Sequence, residues 1–153
     1  MSSRSAFIAS SLSLILCAPA VIEAKTATHA AAVLTPATDI RWNDVPGFPG
    51  VQMAAVGGDP AKGPHHSMLK YAAGFEASAH HHTTDHYGTV VAGTLVLNSA
   101  GREVRLPPGS YFAFTGKMPH TTRCEPGAEC VLAIDARGKW DVVPEREAKH
   151  GRK

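Results

Sequence analysis

Nine histidines occur in the 153-residue sequence, and four of them lie between positions 80 and 86. On a β-strand alternate residues share a face, so His80 and His82 point the same way while His81 points to the other face. Neutral imidazole is a common ligand of transition metals, whereas clustered histidines without a metal repel each other once they are protonated. The pattern therefore predicts one bound divalent transition metal, with iron, manganese, nickel, copper and zinc all open.

Two further histidines can complete this site. Residues 83–85 separate His82 from His86 and can form a tight connection, so a strand that begins at His86 can turn that side chain back towards the pair. His120 stands at the start of a later predicted strand and can close the site from across a barrel. We predict four metal ligands: His80, His82, His86 and His120. The alternative for His86 is a histidine that stands unbound beside a three-histidine metal.

From Trp42 onwards the sequence consists of short β-prone runs, which are separated from one another by residues typical of turns. No ten-residue stretch of this part carries a clear helical stripe, which favours an antiparallel all-β sandwich or barrel. The predicted strands are residues 51–56, 67–71, 89–97, 103–106, 110–114, 120–124 and 131–136. Four side chains are predicted to line an apolar interior: Val90, Leu95, Phe112 and Phe114.

The first group of histidines lies in a stretch that resembles the first motif of the cupin superfamily, Gly-x5-His-x-His-x3-Glu-x6-Gly. The matching residues, with every spacing kept, are Gly74, His80, His82 and Gly93. His86 stands where the family most often has glutamate. Because cupins with that glutamate bind their metal through three histidines and one carboxylate, the resemblance implies a four-histidine variant here.

A second stretch, from Gly109 onwards, resembles the second cupin motif and has His120 at the family's spacing. It departs from that motif at Thr115 and Lys117, which replace proline and glycine, and at Cys124, which replaces asparagine. The two motifs stand in the order that the family shows. The resemblance implies an all-β, antiparallel jelly-roll (cupin) barrel with a metal near its mouth.

A ligand set without a carboxylate has a chemical consequence. The metal keeps its full 2+ charge, so it acidifies bound water more strongly and favours a small-molecule substrate that is anionic or chelating. A six-coordinate metal keeps two positions open, whereas tetrahedral zinc with four histidines keeps none and is typical of a structural site. Three hypotheses follow: an oxygenase-type enzyme, which leads by analogy with the fold family; a non-redox isomerase or lyase; and a non-catalytic module that binds a small molecule or metal.

Few residues are candidates for proton transfer. Counting back in twos from His80 reaches Glu76, which shares the ligand face if the strand is unbroken. Asp85 adjoins His86 and can fix the tautomer of that ligand. Tyr87 is a further candidate proton donor. We predict these three residues, Glu76, Asp85 and Tyr87, as catalytic candidates, with a surface or packing role as the alternative for each.

The two ends of the chain differ from its central part. Residues 1–24 combine a positive start, an apolar run and small residues before a cleavage position, which is the layout of a secretory signal peptide. We therefore expect a periplasmic or secreted product with no membrane contact after processing. Residues 25–41 are predicted as a flexible leader, 42–144 as the cupin β-barrel domain and 145–153 as a basic tail.

Two cysteines and the net charge bear on partners and compartment. An oxidising compartment permits a disulfide between Cys124 and Cys130, and Pro126-Gly127 predicts a hairpin turn that brings them opposite each other. Two separate buried cysteines are the alternative. The formal net charge is +2, and the sequence has no basic stripe with interleaved aromatics, which argues against nucleic-acid binding. The family resemblance also suggests a homodimer through sheet edges.

Overall fold

The computed structural model describes residues 31–146, so the predicted signal peptide and most of the predicted basic tail lie outside the described residues. In this part a 3₁₀ helix, Ala37–Asp39, precedes the strands, and no helix is long and apolar enough to span a membrane. The strands are β1 Asn43–Asp44, β2 Val51–Gly58, β3 His65–Tyr71, β4 Glu76–His81, β5 His86–Ala92, β6 Leu95–Ser99, β7 Arg102–Leu106, β8 Tyr111–Phe114, β9 His120–Cys124, β10 Cys130–Ala136 and β11 Val143–Pro144.

These strands form two antiparallel sheets. One sheet has the order β1-β2-β3-β10-β5-β8 and the other has the order β11-β4-β9-β6-β7. Most neighbours in space are therefore not neighbours in sequence, and the chain crosses repeatedly from one sheet to the other. Two facing sheets with such connections are a jelly roll. The predicted all-β, antiparallel jelly-roll fold is thereby confirmed.

The core lies between the sheets and follows the alternation of the strands. Along β10 every second residue is buried, and the residues between them are half-buried. Full burial of one large apolar side chain contributes roughly 1.5–3 kcal/mol, so this face holds the two sheets together. The predicted lining residues take part: Val90, Leu95 and Phe114 are buried in the core, and Phe112 packs against it.

One predicted strand, residues 89–97, is in fact two strands. β5 ends at Ala92 and β6 begins at Leu95, and they belong to different sheets. Gly93 between them has a φ of +72°, which residues with a side chain rarely adopt, and a Cβ there would lie 2.4 Å from the Glu129 carbonyl oxygen. The chain turns at this glycine, and the continuous run of β-prone residues hides the turn.

Cys124 and Cys130 form a disulfide, with their Cα atoms 5.8 Å apart. The predicted bond is confirmed, but the predicted hairpin is wrong. Cys124 ends β9 in the five-stranded sheet, and Cys130 begins β10 in the six-stranded sheet. The turn between them passes from one sheet to the other, so the disulfide links the two layers of the barrel.

Candidate metal centre

Three histidines meet inside the barrel. His80, His82 and His120 are buried, and one ring nitrogen of each lies within 4.8 Å of the others. The imidazole centroids of His80 and His120 are 4.4 Å apart, and that of His82 lies 5.3 Å and 5.4 Å from them. Two nitrogens that bind one zinc ion at about 2.0–2.1 Å each are separated by at most about 4.2 Å. Small rotations of these rings therefore suffice to bind one ion.

A β-bulge in β4 turns His80 into the interior. Ala77 pairs with Thr122 on β9 and His80 pairs with His120, so the step along β4 is one residue longer than the matching step along β9. An extra residue of this kind bends a strand and re-aims the side chains that follow it. His80 consequently faces its partner His120 on the inner side of the sheet.

Backbone carbonyls hold the rings of these three histidines. Nδ1 of His80 and Nδ1 of His120 each hydrogen bond to the carbonyl oxygen two residues earlier, at 2.7 Å and 3.0 Å. Nδ1 of His82 hydrogen bonds to the carbonyl oxygen of Asp141. Since a carbonyl only accepts, each Nδ1 donates its proton and each Nε2 keeps a free lone pair. Three such nitrogens at one buried point fit a divalent transition metal.

Burial keeps these imidazoles neutral. Desolvation lowers the pKa of His82 to about 3 and that of His120 to about 4, and the neighbouring imidazoles add to both effects. Desolvation also lowers the pKa of His80. The hydrogen bonds to backbone carbonyls oppose these shifts but do not outweigh them. Because metals bind the neutral form of imidazole, the three rings need lose no proton at neutral pH.

His86, the fourth predicted ligand, lies beside this group. It begins β5, is buried, and has its ring centroid 4.5 Å from that of His82 and 5.8 Å from that of His120. Burial lowers its pKa to about 4. Its buried Nδ1 makes no hydrogen bond of normal geometry among the described residues, although the Thr84 backbone opposes the fall in its pKa without outweighing burial. The structure brings three predicted ligands together, and ligation by His86 stays a prediction.

Glu76 does not share the ligand face. Its side chain is 72% exposed, and its Oε1 lies 3.8 Å from Nε of Arg123 on the outer surface. The prediction required an unbroken strand, and the bulge between Ala77 and His80 breaks it. Ala77 rather than Glu76 therefore lines the interior beside His80. The prediction that Glu76 lies on the ligand face is wrong.

Asp85 and Tyr87 also have partners outside the interior. Oδ1 of Asp85 accepts a hydrogen bond from the backbone N–H of Gly116 at 2.7 Å, so this carboxylate holds the loop before β9 rather than the ring of His86. Its charge still favours protonated His86, but by less than burial disfavours it. Tyr87 follows His86 on β5, and alternation turns it to the outer face, where its ring lies 5.2 Å from the guanidinium of Arg137. The predicted tautomer and proton-donor roles therefore lack the contacts they require.

Two aromatic residues of the site were missed by the sequence reasoning. Tyr71 ends β3 and lines two small cavities beside the histidines, and burial raises the pKa of its phenol above the usual value. Trp140 places its indole over His82, with ring centroids 4.2 Å apart. Alternation along β3 places Tyr71 on the same face as buried Leu69, and this pattern in the sequence could have predicted that Tyr71 faces the interior. Trp140 lies in a segment between strands and carries no such signal.

The two interior cavities are small. They measure about 30 Å³ and about 20 Å³, and His82, Tyr71, Thr122 and Trp140 line both. A cavity accommodates a water molecule from about 10–15 Å³ upwards. Each of these cavities therefore has room for one or two waters, or for the metal-binding end of a larger ligand.

Two facing antiparallel sheets around a buried histidine cluster define a small jelly-roll barrel with a candidate metal centre. Residues 67–135 match the sequence model of the cupin domain. This part of the chain is thus a cupin domain, as the two histidine motifs predict. No protein of curated function matches the sequence.

Several solved structures share this fold. The chain is similar to the polyketide cyclase RemF from Streptomyces resistomycificus, with 19% identity and a TM-score of 0.66 over 78% of this chain and 89% of that one. It is similar to KdgF from Halomonas sp., with 23% identity and a TM-score of 0.58 over 76% and 97%. It is also similar to the DMSP lyase DddQ from Ruegeria pomeroyi DSS-3, with 17% identity and a TM-score of 0.57 over 75% and 64%. At these identities the likeness shows the fold alone.

Proposed function

We propose that this chain binds one divalent transition metal through His80, His82 and His120 and acts as a metal-dependent enzyme on a small organic molecule. The observation that carries the proposal is the convergence of three buried imidazoles, each with its Nδ1 bound to a backbone carbonyl. These hydrogen bonds leave the Nε2 lone pair of each ring free, and Nε2 of a neutral imidazole is a common metal ligand.

The lining of the interior indicates the kind of substrate. When bound, the metal supplies a positive charge that polarises a carbonyl, carboxylate or enol oxygen. No carboxylate lines the two interior cavities in the part of the chain that the structure describes. Neutral protein ligands do not reduce the metal's charge, so an anionic or chelating substrate is favoured. The polar side chains that can orient it, besides the histidines, are those of Tyr71 and Thr122.

Tyr71 favours the non-redox class of reaction, in which a bond next to a polarised oxygen breaks or rearranges. Such reactions need a group that gives or takes a proton, and the phenol of Tyr71 lines both interior cavities. A phenol is protonated at neutral pH and burial raises the pKa of Tyr71 further, so this side chain keeps its proton and donates a hydrogen bond that stabilises charge on the substrate oxygen. The names of two similar structures, a polyketide cyclase and a DMSP lyase, agree with this class.

An oxygenase is the second candidate, and the character of the smaller cavity supports it. This cavity, of about 20 Å³, lies beside His82, His86 and His120, and its remaining walls include apolar side chains such as Leu95 and Leu132. A space of that kind has room for a diatomic molecule next to a metal. An oxygenase also needs no carboxylate base in the interior.

Metal analysis and two matched tyrosine variants test the proposal. Purified mature protein is expected to hold about one metal ion per chain, and EPR identifies paramagnetic iron, manganese or copper. With metal-loaded protein, candidate diketones, enols and unsaturated carboxylates are followed by absorbance and, in parallel, with an oxygen electrode. Tyr71→Phe is expected to lower turnover by roughly 10²-fold or more, and Tyr87→Phe, which changes the same group on the outer face, is expected to leave it unchanged.

The outcomes separate the three hypotheses. Turnover without oxygen uptake, lost in Tyr71→Phe, supports the non-redox enzyme. Substrate-dependent oxygen uptake that Tyr71→Phe retains supports the oxygenase instead. A tetrahedral four-histidine zinc with no open position and no turnover supports a non-catalytic binding module. Absence of metal from protein purified without chelator, together with failure to bind added metal, contradicts all three.

We further propose that the mature chain works in the periplasm or outside the cell. The disulfide between Cys124 and Cys130 supports this location, because such bonds persist in oxidising compartments. Cell fractionation with N-terminal sequencing tests it, and the expected mature N-terminus lies near residue 25. Recovery of the full-length chain from the cytoplasm, with both thiols free, contradicts it.

A further inference from the structure

Trp140 and Val45 form the wall between the interior of the barrel and an outer groove. The larger interior cavity, beside His80 and His82, is lined in part by Trp140 and Val45. The groove on the outer side is lined by the same two residues, together with side chains of β1, β2 and the loop around Pro60. Val45 and Trp140 are the residues that line both the cavity and the groove. They therefore lie between the histidines and the outer surface on this side of the barrel.

The sizes of the two spaces differ by an order of magnitude. The interior cavity measures about 30 Å³ and the outer groove about 340 Å³. Binding sites for small organic molecules commonly have volumes of about 300–1,000 Å³. The groove is therefore large enough for the body of a ligand, whereas the interior has room only for a few atoms next to the histidines.

The chemistry of the groove indicates what kind of body it takes. Its lining is mainly apolar and includes Val45, Pro46 and Met53 beside the indole of Trp140. The acidic residue that lines the groove is Asp44, and its Oδ1 accepts a hydrogen bond from Nε2 of Gln52 at 3.0 Å. An acidic rim disfavours a negatively charged body, and an indole wall favours a flat ring. The negative or chelating end of the ligand therefore belongs on the metal side of the wall.

The backbone at Trp140 is fixed on both sides. Its N–H donates to the carbonyl oxygen of Pro60 at 2.8 Å, and the carboxylate of the next residue, Asp141, accepts a hydrogen bond from the N–H of Thr83 at 2.8 Å. The carbonyl of Asp141 also holds His82. Because the main chain is tied to the site itself, a passage opens by rotation of the indole rather than by movement of the segment.

We infer that Trp140 and Val45 are the gate of the histidine site and that Trp140 selects its ligand. The ligand is a flat, mainly apolar molecule with a small oxygen-bearing end. Its end passes the gate and reaches the metal, while its body rests against the indole in the outer groove. This inference rests on the proposed function only in that it takes the three-histidine site as the place where the ligand binds.

Two probes of different size test the gate in protein loaded with Co²⁺, whose visible absorption reports ligand binding. The flat bidentate probe is 4-nitrocatechol, and the small probe is azide, which fits the interior. Trp140→Ala is expected to speed nitrocatechol association by roughly tenfold, and Val45→Trp to slow it by roughly tenfold. Trp140→Phe, which keeps a smaller ring, is expected to fall between wild type and Trp140→Ala. The association rate of azide, which fits the interior, is expected to change far less than that of nitrocatechol in all three variants.

Trp42→Ala is the matched control, because Trp42 packs under the Lys70 ammonium, 4.4 Å from its ring centroid, and lines neither the groove nor the interior cavities. Equal nitrocatechol rates in wild type, Trp140→Ala and Val45→Trp would overturn the gate, and so would a lack of nitrocatechol binding in every variant that holds Co²⁺. Failure of wild type to retain Co²⁺ contradicts the proposed metal site instead, so the two failures are distinguishable.

Discussion

His80 and His120 face each other directly across the ladder of β4 and β9, and their ring centroids lie 4.4 Å apart. β9 lies between β4 and β6, so its backbone is hydrogen bonded on both sides. Metal ligands that lie on hydrogen-bonded strands keep their geometry better than ligands that lie on loops. His82, just beyond the end of β4, is oriented by the carbonyl of Asp141 instead. The site thus combines a rigid pair with one ligand that depends on the segment after β10.

Replacement of one member of the rigid pair is expected to abolish metal binding. His120→Ala leaves two of the three converging nitrogens, and we expect the metal content to fall from about one ion per chain to near zero. Plasma mass spectrometry on dialysed protein measures it. His66→Ala is the matched control, because that imidazole is 66% exposed, outside the site. Full metal content in His120→Ala would contradict the assignment of the site.

Replacement of His86 distinguishes a three-histidine from a four-histidine site. His86→Gln keeps the three nitrogens that converge, so we expect bound metal to remain at one per chain with affinity weakened by roughly 10–100-fold. Competition with a chromophoric chelator measures the affinity, and Cu²⁺ EPR reports the number of bound nitrogens. A loss as complete as in His120→Ala would show that all four histidines are required. Unchanged affinity would leave His86 without any role at the metal.

The stability of the metal-free protein is expected to fall as the pH is lowered from about 6.5 to about 4. Burial lowers the folded-state pKa of His82 to about 3 and those of His86 and His120 to about 4. Between these values and the unfolded value near 6.5, the unfolded chain binds protons that the folded chain does not. The stabilisation is therefore complete above pH 6.5 and is lost as the pH falls towards 4.

Urea unfolding of chelator-treated protein at several pH values measures this dependence. Each histidine contributes up to about 1.4 kcal/mol per pH unit within its window. His82→Gln, which removes one titrating ring, is expected to show a shallower slope than wild type between pH 6.5 and pH 4. A free energy of unfolding that does not change over this range would contradict the lowered pKa values.

The sequence predicted the parts of the site that depend on local order. Alternation placed His80 and His82 on one face and His81 on the other, where its Nδ1 meets Oε1 of Glu145 at 2.5 Å. The predicted strand 120–124 is confirmed, whereas β5 begins at His86, three residues before the predicted run 89–97 and directly after the tight connection expected at 83–85. Such features depend on a few neighbouring residues, so spacing alone reveals them.

The parts that depend on distant residues could not be predicted in this way. The bulge that turns Glu76 outward is visible only in the pairing of β4 with β9. The position of Trp140 over His82 depends on where the segment after β10 returns to the barrel. The glycine turn at Gly93 separates two strands that composition alone joins into one. Each of these is a contact between elements, which a one-dimensional pattern does not contain.

The disulfide is expected to stabilise the barrel by linking its two sheets. Cys124 and Cys130 are fully buried and are separated by six positions in the sequence. For a loop of this length the loss of unfolded-state entropy corresponds to about 2–3 kcal/mol. We expect the double variant Cys124→Ala with Cys130→Ala to melt roughly 10 °C below wild type in a thermal scan.

Reducing agent provides the control for that measurement. Dithiothreitol during unfolding is expected to lower the melting temperature of wild type towards that of the double variant and to leave the double variant unchanged. His120 begins the same strand that Cys124 ends, so a loosened sheet contact would also reach the metal site. The double variant is therefore expected to keep its metal stoichiometry but to release the metal to a chelator faster. A double variant that melts at the wild-type temperature would show that burial of the two sulfurs, rather than their bond, stabilises this end of the barrel.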